Sequence, residues 1–522
     1  MNSRFLAILV TIAVIFSNVP TALATATDKG PPSEASAVVV RQDQVDLAVR
    51  SLDGFAQNIM RRSGIPGMAI AVVYNDRIVY SKGFGFRRVG HPEKIDANTV
   101  FQLASLSKPV GAAVIAGAVG RGCVRWTDPI MKYITGFNLA DPFVGRTVTI
   151  ADMYAHRSGL PDHAGDALED LGFDRATILH RLVLEPLSPF RITYGYTNFG
   201  MTAGAQAAAN ACKQSWESLS ADVLYAPLGM HGTSSRFEDY RKAPNRADLH
   251  VRSGKNWKPL HVREPDAQSP AGGVSSTATD MAKFMQMELA NGMYRGKTII
   301  DKQALFETRN PNLMSSPLAS PDSRASFYGL GIGVSYDRAG RLRLSHSGAF
   351  NYGASTTIAM LPSEHLGIVA LTNGIAIGVP EALTAEFLDL AEFGNVQRDW
   401  FAAYGSLFAS IGKHRGELVG KAPPTSPVPP RSKDVFIGRY TNAYYGPATI
   451  AVQHGKLVMN LGPRKMAFVL QHWSGETFSY RPPGENGGGI SAVKFTTRRG
   501  ESKASKLTIE NLNEERLGSF VR

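Results

Sequence analysis

Apolar positions follow two periods along this chain, and the switches between them mark out its elements. Residues 45–61 carry a helical period, with Val45, Leu47, Ala48, Leu52, Phe55, Ala56 and Ile59 on one broad face. Residues 67–74 and 77–84 are rich in Val, Ile and Tyr, and Asn75-Asp76 between them predicts a β-hairpin. A helix comes next with Ser105 near its start, running through Val110, Ala113, Val114 and Ala118 to a stop near Gly120 and Gly122. Pro109 is tolerated there because the first helical turn has no partner for the missing N–H. Residues 126–289 are mainly helical and broken by prolines. Within them, Trp126-Thr127-Asp128-Pro129 reads as a helix start capped by Asp128. Thr277 and Thr279 are candidate caps for the helix through Met281, Phe284 and Leu289. From Tyr328 the period returns to β, with strands expected at 330–336, 342–346, 355–361 and 366–372, and then a helix at 380–393.

This order predicts an α/β domain. An antiparallel sheet, assembled from both ends of the domain, is flanked by helices and carries a helical lobe. Residues 421–430 hold five prolines, which favour an extended spacer and predict that the α/β domain is separable from the C-terminal part of the chain. Short β runs at 448–452, 456–461, 467–471, 477–480, 491–497 and 506–510 then predict a small all-β, barrel-like domain, with Trp473 in its core. The expected divisions are a signal peptide at 1–24, the α/β domain at 40–395, a helix and Pro-rich linker at 396–433, and the β domain at 434–522.

The signal assignment rests on Arg4, a short apolar run at 5–16, and Ala22-Leu23-Ala24 as a small-x-small cleavage site. No other stretch approaches the 18 apolar residues of a membrane span. These features predict a bacterial periplasmic or secreted protein without a stable membrane span. In an oxidising compartment Cys123 and Cys212 either pair or stay as two buried thiols, and the sequence leaves both open. The net charge of +12 favours acidic surfaces such as envelope polymers. Lys and Arg are scattered, so a nucleic-acid partner is not expected.

Three motifs carry chemistry. Ser105-Leu106-Ser107-Lys108 puts a lysine one helical turn after a serine, able to hold the hydroxyl or to take its proton if burial lowers its pKa. Tyr196-Thr197-Asn198 is the second, expected on an extended loop. Tyr196, as a phenolate beside Lys108, is a candidate base for Ser105, and Asn198 offers a donor and an acceptor to a substrate amide. His346-Ser347-Gly348 ends a predicted strand. His346 can supply a donor or a pH-dependent charge, and Gly348 lets substrate approach the strand. The backbone N–H groups of Ser105 and Ala349 are the expected oxyanion hole. A second Ser-x-x-Lys, Ser410 to Lys413, is followed by a second Tyr-x-Asn, Tyr440 to Asn442, but no His-x-Gly comes after it. That pair is read as chance. His156, Asp162, His163 and Asp166 crowd a loop around Pro161, where a structural role and a place at the cleft rim are expected. Neither a metal nor a cofactor is predicted.

Together the three motifs resemble the serine β-lactamase and penicillin-binding protein superfamily, in its class C β-lactamase-like branch. The resemblance spans about residues 45–395. It includes His156-Arg157-Ser158-Gly159-Leu160-Pro161 and the Gly-rich turn Pro270 to Val274. It implies an acyl-enzyme at Ser105, with Lys108 and Tyr196 catalytic and Asn198, His346, Gly348 and Ala349 binding substrate. The implied substrates are small peptides, esters or β-lactams, including cell-wall peptidoglycan fragments. Class C β-lactamases usually carry Lys-Thr-Gly where this chain has His346-Ser347-Gly348, which shifts the expectation toward a D-alanyl-D-alanine carboxypeptidase, D-aminopeptidase or esterase. The tail from Asp434 is similar in pattern to lipocalin-like domains appended to some members.

Overall fold

The computed structural model describes residue 36 and residues 38–522; the expected signal segment lies outside them. Its centre is an eight-stranded antiparallel sheet. The strands are β1 (Gly67–Tyr74), β2 (Arg77–Gly85), β3 (Leu313–Ser316), β4 (Ser326–Tyr328), β5 (Gly333–Tyr336), β6 (Leu342–Phe350), β7 (Ala354–Leu361) and β8 (Leu366–Thr372). They lie in the order β2-β1-β8-β7-β6-β5-β4-β3, so the N-terminal hairpin joins the C-terminal strands, as the pattern predicted. Met68 faces Thr372 across β1 and β8, and Gly348 faces Thr356 across β6 and β7.

The central strands are covered on both faces, which requires unbroken apolar runs rather than alternation. Met68, Ile70, Val72, Ile368 and Ala370 pack under α1 (Gln42–Ser63) and under Leu383 and Phe387 of a second helix, Val379–Phe393. Ala69, Ala71, Val73, Val369 and Leu371 face the other way, onto Met281, Phe284 and Met285 of the helix Ala278–Leu289. Thr277 is that helix's cap, accepting from Asp280 N at 3.0 Å. The strand expected at 330–336 is confined to Gly333–Tyr336, because Gly331 takes φ 79°. The strand expected at 342–346 runs on to Phe350. β5 pairs with β6 only as far as Ser345, so no described strand covers the outer edge of β6 beyond it.

The lobe holds two helices that aim their N-termini at one point, α2 (Ser107–Gly120) and α3 (Asn198–Ala211). Cys123 and Cys212 lie beyond the far ends of these helices and form a disulfide, with Cα atoms 5.3 Å apart. The helix expected after Asp128 is only a 3-10 turn, Ile130–Lys132. Asp128 instead closes the preceding turn, accepting from Arg125 N at 2.9 Å and from Tyr133 OH at 2.7 Å.

The C-terminal unit has two sheets, Gly438–Tyr440 through Met466–Val469 and Gln471–Ser474 through Ser519–Val521. Thr441 and Val521 exchange two backbone hydrogen bonds (2.6 and 2.9 Å) that join the first strand of one sheet to the last strand of the other, and the chain passes directly between their opposite edges at Leu470, so the two sheets form a barrel. Phe436, Tyr440, Phe478, Phe495 and Phe520 fill it. Trp473, expected in this core, is only half-buried. The Pro-rich spacer separates the two units along the chain but not in space. Tyr444 OH donates to Glu185 Oε1, Arg181 Nη1 donates to Tyr444 O at 2.5 Å, and one apolar core contains Leu168 and Leu171 together with Tyr444 and Tyr445.

Candidate active site

The nucleophile candidate sits on a turn that packing holds from three sides. Ser105 lies in a 3-10 turn, Ala104–Leu106, just before α2 rather than inside its first turn. Ala104 takes φ 50°, a left-handed conformation costing a non-glycine residue about 1–2 kcal/mol. The surroundings enforce it. Leu103 N donates to Val274 O and Val274 N to Ser107 Oγ, each at 2.9 Å. Thr356 Oγ1 on β7 donates to Leu103 O at 2.7 Å. Gly348 on β6 completes the clamp: a Cβ there would fall 2.2 Å from Leu103 O and 2.7 Å from Leu106 N. Gly348 was expected to make room for substrate, and it makes room for this turn. The contact also sets Ala349 beside the Ser105 turn. Ser105 remains half-buried and reachable.

Lys108 is wholly buried. Its ammonium has three protons and three acceptors: Ser105 Oγ at 3.0 Å, Asn198 Oδ1 at 2.7 Å and Ala271 O at 3.0 Å. All three are neutral oxygens, so burial dominates and draws Lys108 down to about 7, against the opposing charge of Asp166. Asn198 is the first residue of α3, not part of an extended loop, and Thr197 caps that helix by accepting from Gly200 N at 2.7 Å. With its oxygen on Lys108, Asn198 donates through Nδ2 to Asp166 Oδ2 at 3.0 Å, and His163 Nδ1 meets the same oxygen at 2.8 Å. A chain of contacts thus leads from Ser105 through Lys108 and Asn198 to Asp166. Among the described residues no cluster of three or more His, Cys, Asp or Glu could hold a metal ion.

Tyr196 is held by its backbone: its N–H donates to Asp162 Oδ1 at 2.5 Å and its carbonyl accepts from His163 N at 2.8 Å. Its ring centroid lies 4.6 Å from Lys108 Nζ. Burial pushes the phenol up, and the Ser105 hydroxyl pulls it only partly back. Tyr196 therefore rests protonated, unlike the phenolate anticipated from its motif, and Lys108 is the group poised near neutrality. His346 Nδ1 meets Ser347 O at 2.7 Å and Nε2 meets Tyr328 OH at 2.8 Å, so Nδ1 donates and Nε2 accepts from the phenol. Burial and the Lys108 charge draw His346 down to about 3, so it stays neutral near neutral pH. His156 is fully buried, not at the rim. Its Nδ1 accepts from Thr197 N at 3.2 Å, and its ring stands 4.5 Å from Tyr196 and 4.8 Å from Tyr328.

The structure thus brings Ser105, Lys108, Tyr196 and Asn198 together, with Gly348 and Ala349 alongside and His346 behind Tyr328. Sequence reasoning missed Asp166 as a support for Asn198, the Ala271 carbonyl and Tyr328. The Gly-rich turn was the only signal for Ala271, and no motif pointed to Tyr328. Chemically, a buried amine near its pKa, 3.0 Å from a reachable hydroxyl, can exchange a proton with it, while a neutral phenol stands ready to donate one.

A family model described as Beta-lactamase matches residues 52–391, and one described as a domain of unknown function, DUF3471, matches residues 422–518. The D-alanyl-D-alanine-carboxypeptidase/endopeptidase AmpH of Escherichia coli is 24% identical over 327 residues, covering 62% of this chain and 83% of that protein. Unguisins hydrolase ungD of Aspergillus violaceofuscus is 25% identical over 456 residues, covering 80% of each. Penicillin-binding protein 4 of Amycolatopsis lactamdurans is 27% identical over 320 residues, covering 59% of this chain and 81% of that protein. The octameric penicillin-binding protein homologue from Pyrococcus abyssi shares the fold, with a TM-score of 0.58 at 18% identity over 91% of this chain and all of that one. Fold, matched family model and hydrolase-named relatives lead to one conclusion: the chain belongs to the Beta-lactamase family and is a serine hydrolase.

Proposed function

We propose that this protein hydrolyses amide or ester bonds through an acyl-enzyme at Ser105, with D-amino-acid peptides as its principal substrates. The observation that carries this reading is Lys108, buried and bonded at once to Ser105 Oγ and Asn198 Oδ1. In the neutral state Lys108 takes the Ser105 proton as Oγ attacks the carbonyl, and the tetrahedral oxygen lies toward the Ser105 and Ala349 amides. Tyr196 then gives its proton to the leaving group and recovers one from the adjacent lysine. Water enters by the same route in reverse. Asn198, fixed by Asp166, keeps Lys108 aligned and borders the substrate amide.

The substrate class is favoured by neutral His346 in place of the usual lysine and by the names of the carboxypeptidase and penicillin-binding relatives. Export is favoured by the N-terminal pattern and by the Cys123–Cys212 disulfide, since such bonds persist in oxidising compartments. Among the described residues no helix is long and apolar enough to cross a membrane. Incubation with a fluorescent penicillin or a fluorophosphonate, read by mass spectrometry, tests the reading. A covalent adduct on Ser105 that Ser105→Ala abolishes is expected, and an unlabelled protein, or a label that survives Ser105→Ala, overturns it. Intact mass from a secreting host tests cleavage after Ala24.

A further inference from the structure

The cleft has two ends along β6. At the His346 end stand Tyr328 and, through His156, Tyr196, so a leaving group that takes its proton from Tyr196 departs there. The acyl part of the substrate then runs the other way, toward Phe350. That end is met by the C-terminal barrel. Asn351 N, the first amide after β6, donates to Glu485 Oε2, and Asn351 Nδ2 donates to the Glu485 carbonyl, both at 3.0 Å. Glu485 also accepts from Arg263 Nε at 2.6 Å, and Arg263 Nη2 donates to Glu169 Oε2 at 2.5 Å. Arg263 and Glu485 keep only 7% and 8% of their side-chain surface exposed.

This buried pair reaches the site by two short paths. The Arg263 guanidinium lies 5.2 Å from the Phe350 ring centroid, and Phe350 packs toward Gly272, next to the Ala271 carbonyl that holds Lys108. The Arg263 carbonyl accepts at 2.9 Å from Nε2 of Gln102, three residues before Ser105. The loop carrying Glu485 is built to stay put. Pro482 and Pro483 stiffen it. Gly484, at φ 78°, presses on Asp170 so closely that a Cβ would fall 1.9 Å from its carboxyl carbon, and Asn486 N donates to Asp170 Oδ2 at 3.2 Å.

We propose that the barrel loop 482–488 walls off the acyl end of the cleft, and that Glu485 determines how long an acyl chain the enzyme accepts. The proposal rests on Ser105 as the nucleophile. It gives the barrel a specificity role in the hydrolysis, beyond support of the fold. The test compares p-nitrophenyl acetate with p-nitrophenyl octanoate, and acetyl-D-Ala-D-Ala with octanoyl-D-Ala-D-Ala, in wild type, Glu485→Ala and Asn351→Ala. Both variants are expected to raise the kcat/KM ratio of long over short acyl chain by about tenfold, the scale of discrimination by pocket size. Rates on the acetyl substrates should stay within about twofold, and Glu485→Gln, which keeps the bulk, should keep the wild-type ratio. Thermal melting identifies a variant whose barrel has come loose, and Asn351→Ala then decides alone, since it removes only one side-chain hydrogen bond. An unchanged ratio in variants that melt normally overturns the proposal. A wild type that neither cleaves these substrates nor is labelled at Ser105 overturns the nucleophile reading, and the wall falls with it.

Discussion

The chain holds two Ser-x-x-Lys tetrapeptides, and their surroundings could hardly differ more. Lys108 is fully buried with three oxygens on its ammonium, and Ser105 sits on a turn clamped by β6, β7 and the segment at Val274. Ser410 lies near the C-terminus of the helix Trp400–Ile411, and Lys413 just beyond it; both are exposed. Their would-be partners are committed elsewhere: Tyr440 OH donates to Phe436 O at 2.8 Å, and Asn442 Nδ2 donates to Leu517 O and Ser519 O. The comparison teaches that the motif supplies only atoms. Its chemistry comes from desolvation, which moves the lysine toward neutral pH, and from acceptors that fix where its protons point.

The largest effects should separate the two copies. Lys108→Ala and Tyr196→Phe should each slow acylation at least about a hundredfold, whereas Lys413→Ala and Ser410→Ala should leave it unchanged. Stopped-flow acylation by a chromogenic ester measures this, and a Lys108→Ala variant with near-normal acylation would erase the distinction. Next in size is Gly348→Ala. Its Cβ meets backbone on both sides, so the Ser105 turn must shift, and the same assay should show a loss of roughly tenfold or more.

Titration sharpens the contrast further. With Lys108 drawn down to about 7, acylation should climb as pH rises through about 7 and level off above it, because the amine is the reactive form. The Asp166 charge raises Lys108, so Asp166→Asn should move that acid limb to lower pH; a limb that stays in place would remove Asp166 from the network. A stability effect comes last. Replacing both Cys123 and Cys212 by serine should cost about 2–4 kcal/mol, seen as a lower melting temperature, with a smaller loss of acylation as α2 and α3 loosen at their far ends.

Much of this was legible in the sequence, for identifiable reasons. Strands β1, β7 and β8 announce themselves because burial on both faces leaves runs without a charged residue, β2 by its Val, Ile and Tyr content after the Asn75-Asp76 turn, and the helix Val379–Phe393 by apolar positions at helical spacing. The short strands β3 and β4 at the sheet's edge were invisible, since they alternate weakly and are only partly covered. At the site, ordered motifs pointed to Ser105, Lys108, Tyr196 and Asn198. What they did not reveal was environment. That Tyr196 stays protonated, that His346 is neutral, and that Asp166 anchors Asn198 all depend on desolvation and on loops meeting across long stretches of chain. The reach of the barrel to Arg263 was equally hidden, because a proline-rich spacer suggests separation and says nothing of the return path.

The outer edge of β6 has a consequence for the protein's own solubility. An open strand edge is a template on which another chain can add, and long exposed edges invite aggregation. Among the described residues, β5 ends its pairing at Ser345 and Glu485 caps the strand at Asn351, which leaves His346 to Phe350 of this edge without a paired strand. A short extended peptide has room to lie down there, while a second molecule meets a shorter open edge than the whole strand would offer. The barrel that borders the cleft would therefore also guard against self-association, and a protein deprived of it should be the stickier one.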